Sequence, residues 1–203
     1  MESLGVEPGA PVVVAVGRLA RMTGFDALIR AFAEVRSQVP GARLVIVGEG
    51  GRRKDLEEEA RRAGVAEAVV FAGFRDDVRD LLGAADVFAL SSFNEGMANT
   101  LLEAMSVGAP IVATDVSGTR EAVRDREDGL VVPPGDERAL ARAIEELLRD
   151  PALARRLGGS ALARARSLFT YERMAEDLEG LLLDAAVSRR RGAPRGPEAT
   201  CRP

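Results

Sequence analysis

Six short apolar runs, unbroken by polar residues and separated by helical patterns, constrain the fold of this chain more than any other feature. They read VVVAV at 12–16, LVIV at 44–47, VVFA at 69–72, VFAL at 87–90, PIVA at 110–113 and LVV at 130–132. A strand with one wet face alternates apolar and polar residues, whereas an unbroken run suits a strand covered on both faces. After the first run, Phe25, Leu28, Ile29 and Phe32 recur at helical spacing, followed by Val35, and Pro40-Gly41 ends the pattern. Another helix is predicted from Asp136, with Leu140, Ile144, Leu147 and Leu148 on one face. Strand–helix alternation repeated this often predicts an α/β fold. It is a Rossmann-like, doubly wound parallel sheet of six strands with helices on both faces.

Beyond the last run the pattern turns helical throughout. The PPGD turn at 133–136 ends in an aspartate N-cap, and Asp150-Pro151 opens the next helix with proline in its first position. Thr170 is placed to cap a final helix with an apolar stripe of Tyr171, Met174, Leu178, Leu181 and Leu182. From about Ser188 the sequence becomes Arg, Gly and Pro without periodicity, so residues 1–187 read as one domain and 188–203 as a disordered tail.

The net charge of −4 gives no electrostatic reason to expect nucleic acid as a partner. There is no histidine, which removes imidazole bases and His-ligated zinc from the possible chemistry of these residues. The single cysteine, Cys201, has no partner for an intramolecular disulfide, which favours a reducing cytoplasm. No apolar run approaches the roughly 20 residues of a membrane span. Peripheral attachment at the inner face of a membrane is compatible with the sequence, but no residue points to it.

In an open parallel sheet, ligands sit beyond the carboxyl ends of the strands, where the strand order reverses. The chain leaving those ends is rich in glycine: Gly17-Arg18 after the first run, Gly48-Glu49-Gly50-Gly51 after the second, and Gly73-Phe74-Arg75 after the third. Ser91-Ser92-Phe93-Asn94-Glu95-Gly96 follows the fourth. Glycines there let amides approach an anion, and helix N-termini favour phosphate, although each glycine alone is explained by a tight turn. The dinucleotide fingerprint G-x-G-x-x-G fails because Arg53 stands at its third glycine, and no phosphate-loop motif occurs.

Two carboxylates stand eight residues apart in EGMANTLLEAM, which begins at Glu95. Thr100 and Glu103 fit a helix capping box, with Thr100 at the N-cap and Glu103 three residues on. That explanation competes with ligand binding for Glu103 and leaves Glu95 unexplained. A loop carboxylate before a glycine suits hydroxyl groups, and a ligand carrying both phosphates and hydroxyls would use both glutamates.

The E-x7-E pair of Glu95 and Glu103 lies within EGMANTLLEAMSVGAPIVATDVSGTREAV. With VAVGRL, GFDALIRAF, LVIVGEG, ADVFALSSFNEG and GLVVPPGDERALARAI in order, the chain resembles the donor-binding C-terminal half of retaining GT-B glycosyltransferases of family 4. The resemblance runs from about residue 11 to 185. It implies one half of a GT-B fold, hexosyltransferase-type activity and a nucleoside-diphosphate sugar as substrate, without a cofactor or bound metal. Arg18 would pair with the diphosphate, with Gly17 and Gly48 lining its loop. Gly73, Phe74 and Arg75 would edge the base. Glu95 would lie near the transferred sugar, with Gly96, Met97, Ala98 and Asn99 lining the sugar pocket. Thr100 and Leu101 would offer amides near the diphosphate, and Glu103 would hold the ribose hydroxyls. The sugar would be transferred with retention, and the protein would mainly stabilise the departing anion. Polysaccharide or glycolipid assembly is the process that the family suggests.

Two departures stand out. The family usually carries lysine five positions after the arginine, where this chain has Thr23. Losing one preorganised charge of that kind typically costs ~3–4 kcal/mol of barrier, roughly 10²–10³ in rate. Either Arg21 compensates or the donor chemistry is weakened, and under the second reading Thr23→Lys raises turnover once a partner half is supplied. The second departure is that the matching region begins almost at Met1, so an acceptor-binding N-terminal half is expected as partner, in cis or in trans. The isolated chain should then bind donor and transfer poorly, with an apolar patch exposed on the side facing that half. A non-catalytic nucleotide-sugar-binding module, or a truncated gene product, fits the same residues. A dehydrogenase-like or flavin-binding domain lacks its glycine fingerprint.

Overall fold

The computed structural model describes Met1 and residues 4–192. Six parallel strands form one sheet: β1 (Val12–Val16), β2 (Arg43–Val47), β3 (Val69–Gly73), β4 (Val87–Leu90), β5 (Ile111–Thr114) and β6 (Leu130–Val132). Their order is β3-β2-β1-β4-β5-β6, so the direction of winding reverses between β1 and β4. Each strand coincides with one of the apolar runs to within a residue. Pro110 stays outside β5, because it has no N–H for the ladder, although its carbonyl accepts from Phe88 N at 2.8 Å.

The helices between strands are α1 (Phe25–Gln38), α2 (Arg53–Arg62), α3 (Val78–Gly83), α4 (Asn99–Val107) and α5 (Ser117–Ala122). Three follow β6: α6 (Glu137–Arg149), α7 (Pro151–Leu168) and α8 (Tyr171–Gly192). Helix α1 packs against α2 and α6 in one layer, and α4 packs against α3 and α5 in another. The periodic residues Phe25, Leu28, Ile29, Phe32 and Val35 are all buried, as are Leu140, Ile144 and Leu147 of α6. They meet Val13, Ala15, Leu44, Ile46, Val87 and Ala89 of the sheet. Covering the sheet on both sides is what makes its strands apolar throughout.

The predicted caps form after β6. Asp136 accepts from Ala139 N at 2.9 Å, Asp150 from Leu153 N at 2.9 Å, and Thr170 Oγ1 from Arg173 N at 3.2 Å. The chain divides into two compact units, Met1–Arg166 and the part from Ser167 onward. Helix α8 continues through Gly192, past the expected onset of the tail near Ser188, and residues 193–203 lie outside those described. Its stripe residues Tyr171, Met174, Leu178, Leu181 and Leu182 are solvent-exposed.

One buried charge fastens α7 to the turn before β6. Asp128 is fully buried and accepts from Arg124 Nε at 2.7 Å, from a second Arg124 nitrogen at 2.8 Å and from Ser160 Oγ at 2.7 Å. Arg164 of α7 stands 3.7 Å away. Hydrogen bonding by the Arg124 guanidinium outweighs desolvation and holds the Asp128 carboxyl down at about 2, against an ordinary 3.8. The folded value is depressed, so the stabilisation is fully present above the ordinary value and is lost as pH falls toward 2. Asp128→Asn should cost about 2 kcal/mol at pH 7, because it removes the buried carboxylate that accepts from Arg124 and Ser160. Urea titrations between pH 7 and pH 2.5 should show the gap between wild type and variant shrinking on acidification. A gap independent of pH would contradict this assignment.

Candidate functional site

The reversal between β1 and β4 opens a crevice at the carboxyl edge of the sheet, and the loops around it are fastened to one another by short bonds. Gly17 N donates to Val47 O at 2.9 Å, Leu19 N to Glu49 O at 2.9 Å, and Gly48 N to Gly73 O at 2.8 Å. Thus the chain leaving β1, β2 and β3 is tied together, with Gly17, Gly48 and Gly73 adjoining. Gly48 has φ +133°, and a Cβ there would sit 2.0 Å from Gly17 O, so no other residue allows the loops to approach this closely.

On the other side of the crevice, Phe93 N donates to Met22 O at 2.9 Å and Ser91 Oγ to Thr23 O at 2.9 Å. These bonds tie the loop after β4 to the loop after β1. Thr114 Oγ1, at the end of β5, donates to Ser92 O at 2.6 Å. Gly118 of α5 lies against the same loop, where a Cβ would stand 1.7 Å from Gly96 O.

The structure places Arg18 two residues beyond β1, exposed and without an ion-pair partner among the described residues. Arg21 is likewise exposed and unpaired among the described residues, in a short 3-10 turn at Arg21–Thr23. Thr23 turns its hydroxyl back into its own loop and donates to Arg18 O at 2.5 Å and to Ala20 O at 3.2 Å. A lysine at 23 would forgo both bonds. The threonine therefore has a structural role, as well as lacking the charge.

Glu95 is half-buried, and its Oε2 accepts from Ser92 Oγ at 2.9 Å. Glu103 is exposed and its carboxylate has no hydrogen bond or ion pair among the described residues. The capping box is not formed: α4 starts at Asn99, its N-cap is Ala98, and no side chain caps it. Thr100 is thus already helical and Glu103 lies too far along the helix to reach back. Leu101 is fully buried and its amide is spent on Ala98 O at 3.0 Å. Among the described residues, the amides of Asn99 and Thr100 are the ones left without an acceptor at this helix start. Of the two amides expected near a diphosphate, that of Thr100 is therefore free among the described residues and that of Leu101 is engaged.

Phe74 projects into solvent with 75% of its surface exposed. Arg75 donates to Asp77 at 2.7 and 2.5 Å. That pairing holds the Asp77 carboxyl below its ordinary value. Within the first unit the exposed large apolar side chains are Met22, Phe74, Phe93 and Met97, all on the loops after β1, β3 and β4. Gly96 and Met97 are exposed on the crevice loop and Asn99 at the start of α4, while Ala98 is buried. A separate hollow of about 530 Å³ lies at the opposite edge of the sheet, beside Val12, Asp86 and Pro110. Of its carboxylates, Asp86 accepts from Val12 N at 2.7 Å.

Residue patterns drew attention to Glu95 but not to Ser92, Thr114 or Gly118, which hold its loop. Ser-x-x-Glu spacing at 92–95 was the available signal.

Residues 1–164 match the profile of the family described as glycosyl transferases group 1. A lipopolysaccharide core biosynthesis glycosyltransferase of Rhizobium meliloti is 42% identical over 148 residues, covering 73% of this chain and 42% of the relative. Among solved structures, the sucrose-phosphate synthase of Thermosynechococcus elongatus superposes with a TM-score of 0.82 at 32% identity, over 92% of this chain and 48% of that one. Anabaena HepE in complex with UDP-glucose superposes at 0.80 with 30% identity, over 88% and 51%. The chain spans about half the length, or less, of the relatives it matches. The sheet and its helices match those of GT-B glycosyltransferases.

Thr23→Val, which removes the hydroxyl and keeps the shape, should lower stability by about 1 kcal/mol in urea titration. Arg21→Ala, with no ion pair to lose, should change it by less than ~0.5 kcal/mol. Equal effects would show that the hydroxyl bonds contribute nothing.

Proposed function

The chain belongs to the glycosyl transferases group 1 family, and on that premise we propose that it is the donor-binding region of a retaining, family 4 glycosyltransferase acting on a nucleoside-diphosphate sugar. The observation that carries this reading is the pairing of β1 with β4, which sets the Arg18 loop and the Glu95–Asn99 loop on the two sides of one crevice. A diphosphate fits between cations on one side and the unspent amides of Asn99 and Thr100 on the other. The HepE structure determined with UDP-glucose supports a nucleotide sugar as the ligand class.

In this arrangement Arg18 stabilises the negative charge that grows on the diphosphate as the bond to the sugar breaks. Thr23 brings no charge where the family usually has lysine, so this stabilisation is weakened unless Arg21 supplies it. Glu103 accepts from the ribose hydroxyls and Glu95 from the transferred sugar. The acceptor oxygen attacks from the face that the leaving group departs, so the anomeric configuration is retained. No metal or other cofactor is required by this scheme.

Transfer needs the acceptor aligned against the donor, which requires a second, acceptor-binding half. The exposed Met22, Phe74, Phe93 and Met97 on the crevice rim support an apolar contact on that side. Taken alone, the chain binds donor and transfers poorly, in the cytoplasm or at the inner face of a membrane. Among the described residues no helix is long and apolar enough to cross one.

Calorimetric titration with UDP, GDP and ADP tests the reading and names the base. One nucleotide should bind, and Glu103→Ala should weaken it at least tenfold with the melting temperature unchanged, because Glu103 is exposed and unbonded. A variant that melts lower while binding normally would contradict the assignment.

A further inference from the structure

We propose that Ser92 is the positioning residue for Glu95, fixing its carboxylate so that one oxygen is presented to the transferred sugar. This rests on the donor-site reading above. Glu95 sits on an irregular loop between β4 and α4, with no helix to restrain its side chain. Ser92 is fully buried and donates to Glu95 Oε2 at 2.9 Å, which leaves Oε1 to accept from a sugar hydroxyl.

The choice of acceptor is informative. Three other hydroxyls around this crevice, those of Thr23, Ser91 and Thr114, all donate to backbone carbonyls and so hold loops together. Ser92 donates to a carboxylate on the crevice loop instead. Its own backbone is held from both sides: Ser92 O accepts from Thr114 Oγ1 at 2.6 Å, and the adjoining Ser91 Oγ reaches Thr23 O at 2.9 Å. A buried hydroxyl with a fixed backbone is a rigid donor, and its direction sets that of the glutamate. The order of support runs from β5 through Thr114 to Ser92, then to Glu95.

A residue that positions Glu95 in this way affects recognition of the sugar and leaves the nucleotide alone. The test is titration of the full chain with UDP, GDP and ADP, followed by the glucose and N-acetylglucosamine esters of whichever nucleotide binds. Wild type should bind one sugar ester more tightly than the bare nucleotide. Ser92→Ala should leave the nucleotide within twofold and reduce the gain from the sugar at least fivefold. Glu95→Gln should abolish the same gain, and the double variant should be no worse than Glu95→Gln alone. Where Ser92→Ala loses its circular dichroism, Ser92→Cys keeps the volume with a weaker donor and should show the same split.

Equal losses for nucleotide and sugar ester would mark Ser92 as merely structural and overturn the proposal. So would a sugar gain that survives in Ser92→Ala, or one that is absent in wild type. Failure of every nucleotide to bind wild type would defeat the donor-site reading itself, and this inference with it.

Discussion

The pairing of β1 with β4 is the constraint on which the rest depends. Parallel strands cannot be joined by a short turn, so the chain winds outward through β2 and β3 before returning to β4 beside β1. The helices that follow β1 and β4 then pack in different layers, and the crevice lies where their loops leave the sheet. Every candidate residue for ligand binding stands on the loops or helix starts around this opening. The hollow at the other edge of the sheet lies among segments that enter β1, β4 and β5 and the ends of α6 and α7, and Asp86 there is already engaged.

A crevice walled by loops would be loose without further ties. Here backbone bonds join the loops of β1, β2 and β3, and hydroxyl groups join those of β1, β4 and β5. Each bond contributes only about 1 kcal/mol, so rigidity comes from their number and from the absence of side chains at Gly48 and Gly118. Three charged side chains around the crevice take no part in these ties. Arg18, Arg21 and Glu103 remain unpaired among the described residues, whereas Arg30 and Arg124 away from the crevice each hold two carboxylates.

The fold was legible because each strand is covered on both faces, which writes it as an unbroken apolar run. The crevice followed from the strand order, and its glycines from their places at strand ends. The side-chain pairings were less legible. Thr100-x-x-Glu103 and Ser92-x-x-Glu95 share one spacing, yet only the second forms a side-chain hydrogen bond. The start of α4 decides between them, and Gly118 of α5 packs against the preceding loop, a contact remote in sequence. The Arg75–Asp77 pairing, two residues apart, had no periodic signature to announce it. The helix α8 outlasts its apolar stripe because arginine is a good helix former even where periodicity ends.

Amide hydrogen exchange of the chain with and without a saturating nucleoside diphosphate tests the central claim most directly, since it locates binding without assuming any residue's role. Protection should be confined to residues 17–24, 48–51, 73–75 and 95–103, the loops that gather around the crevice. Protection at residues 83–86 and 107–110 on the opposite edge, with the crevice loops unchanged, would contradict it.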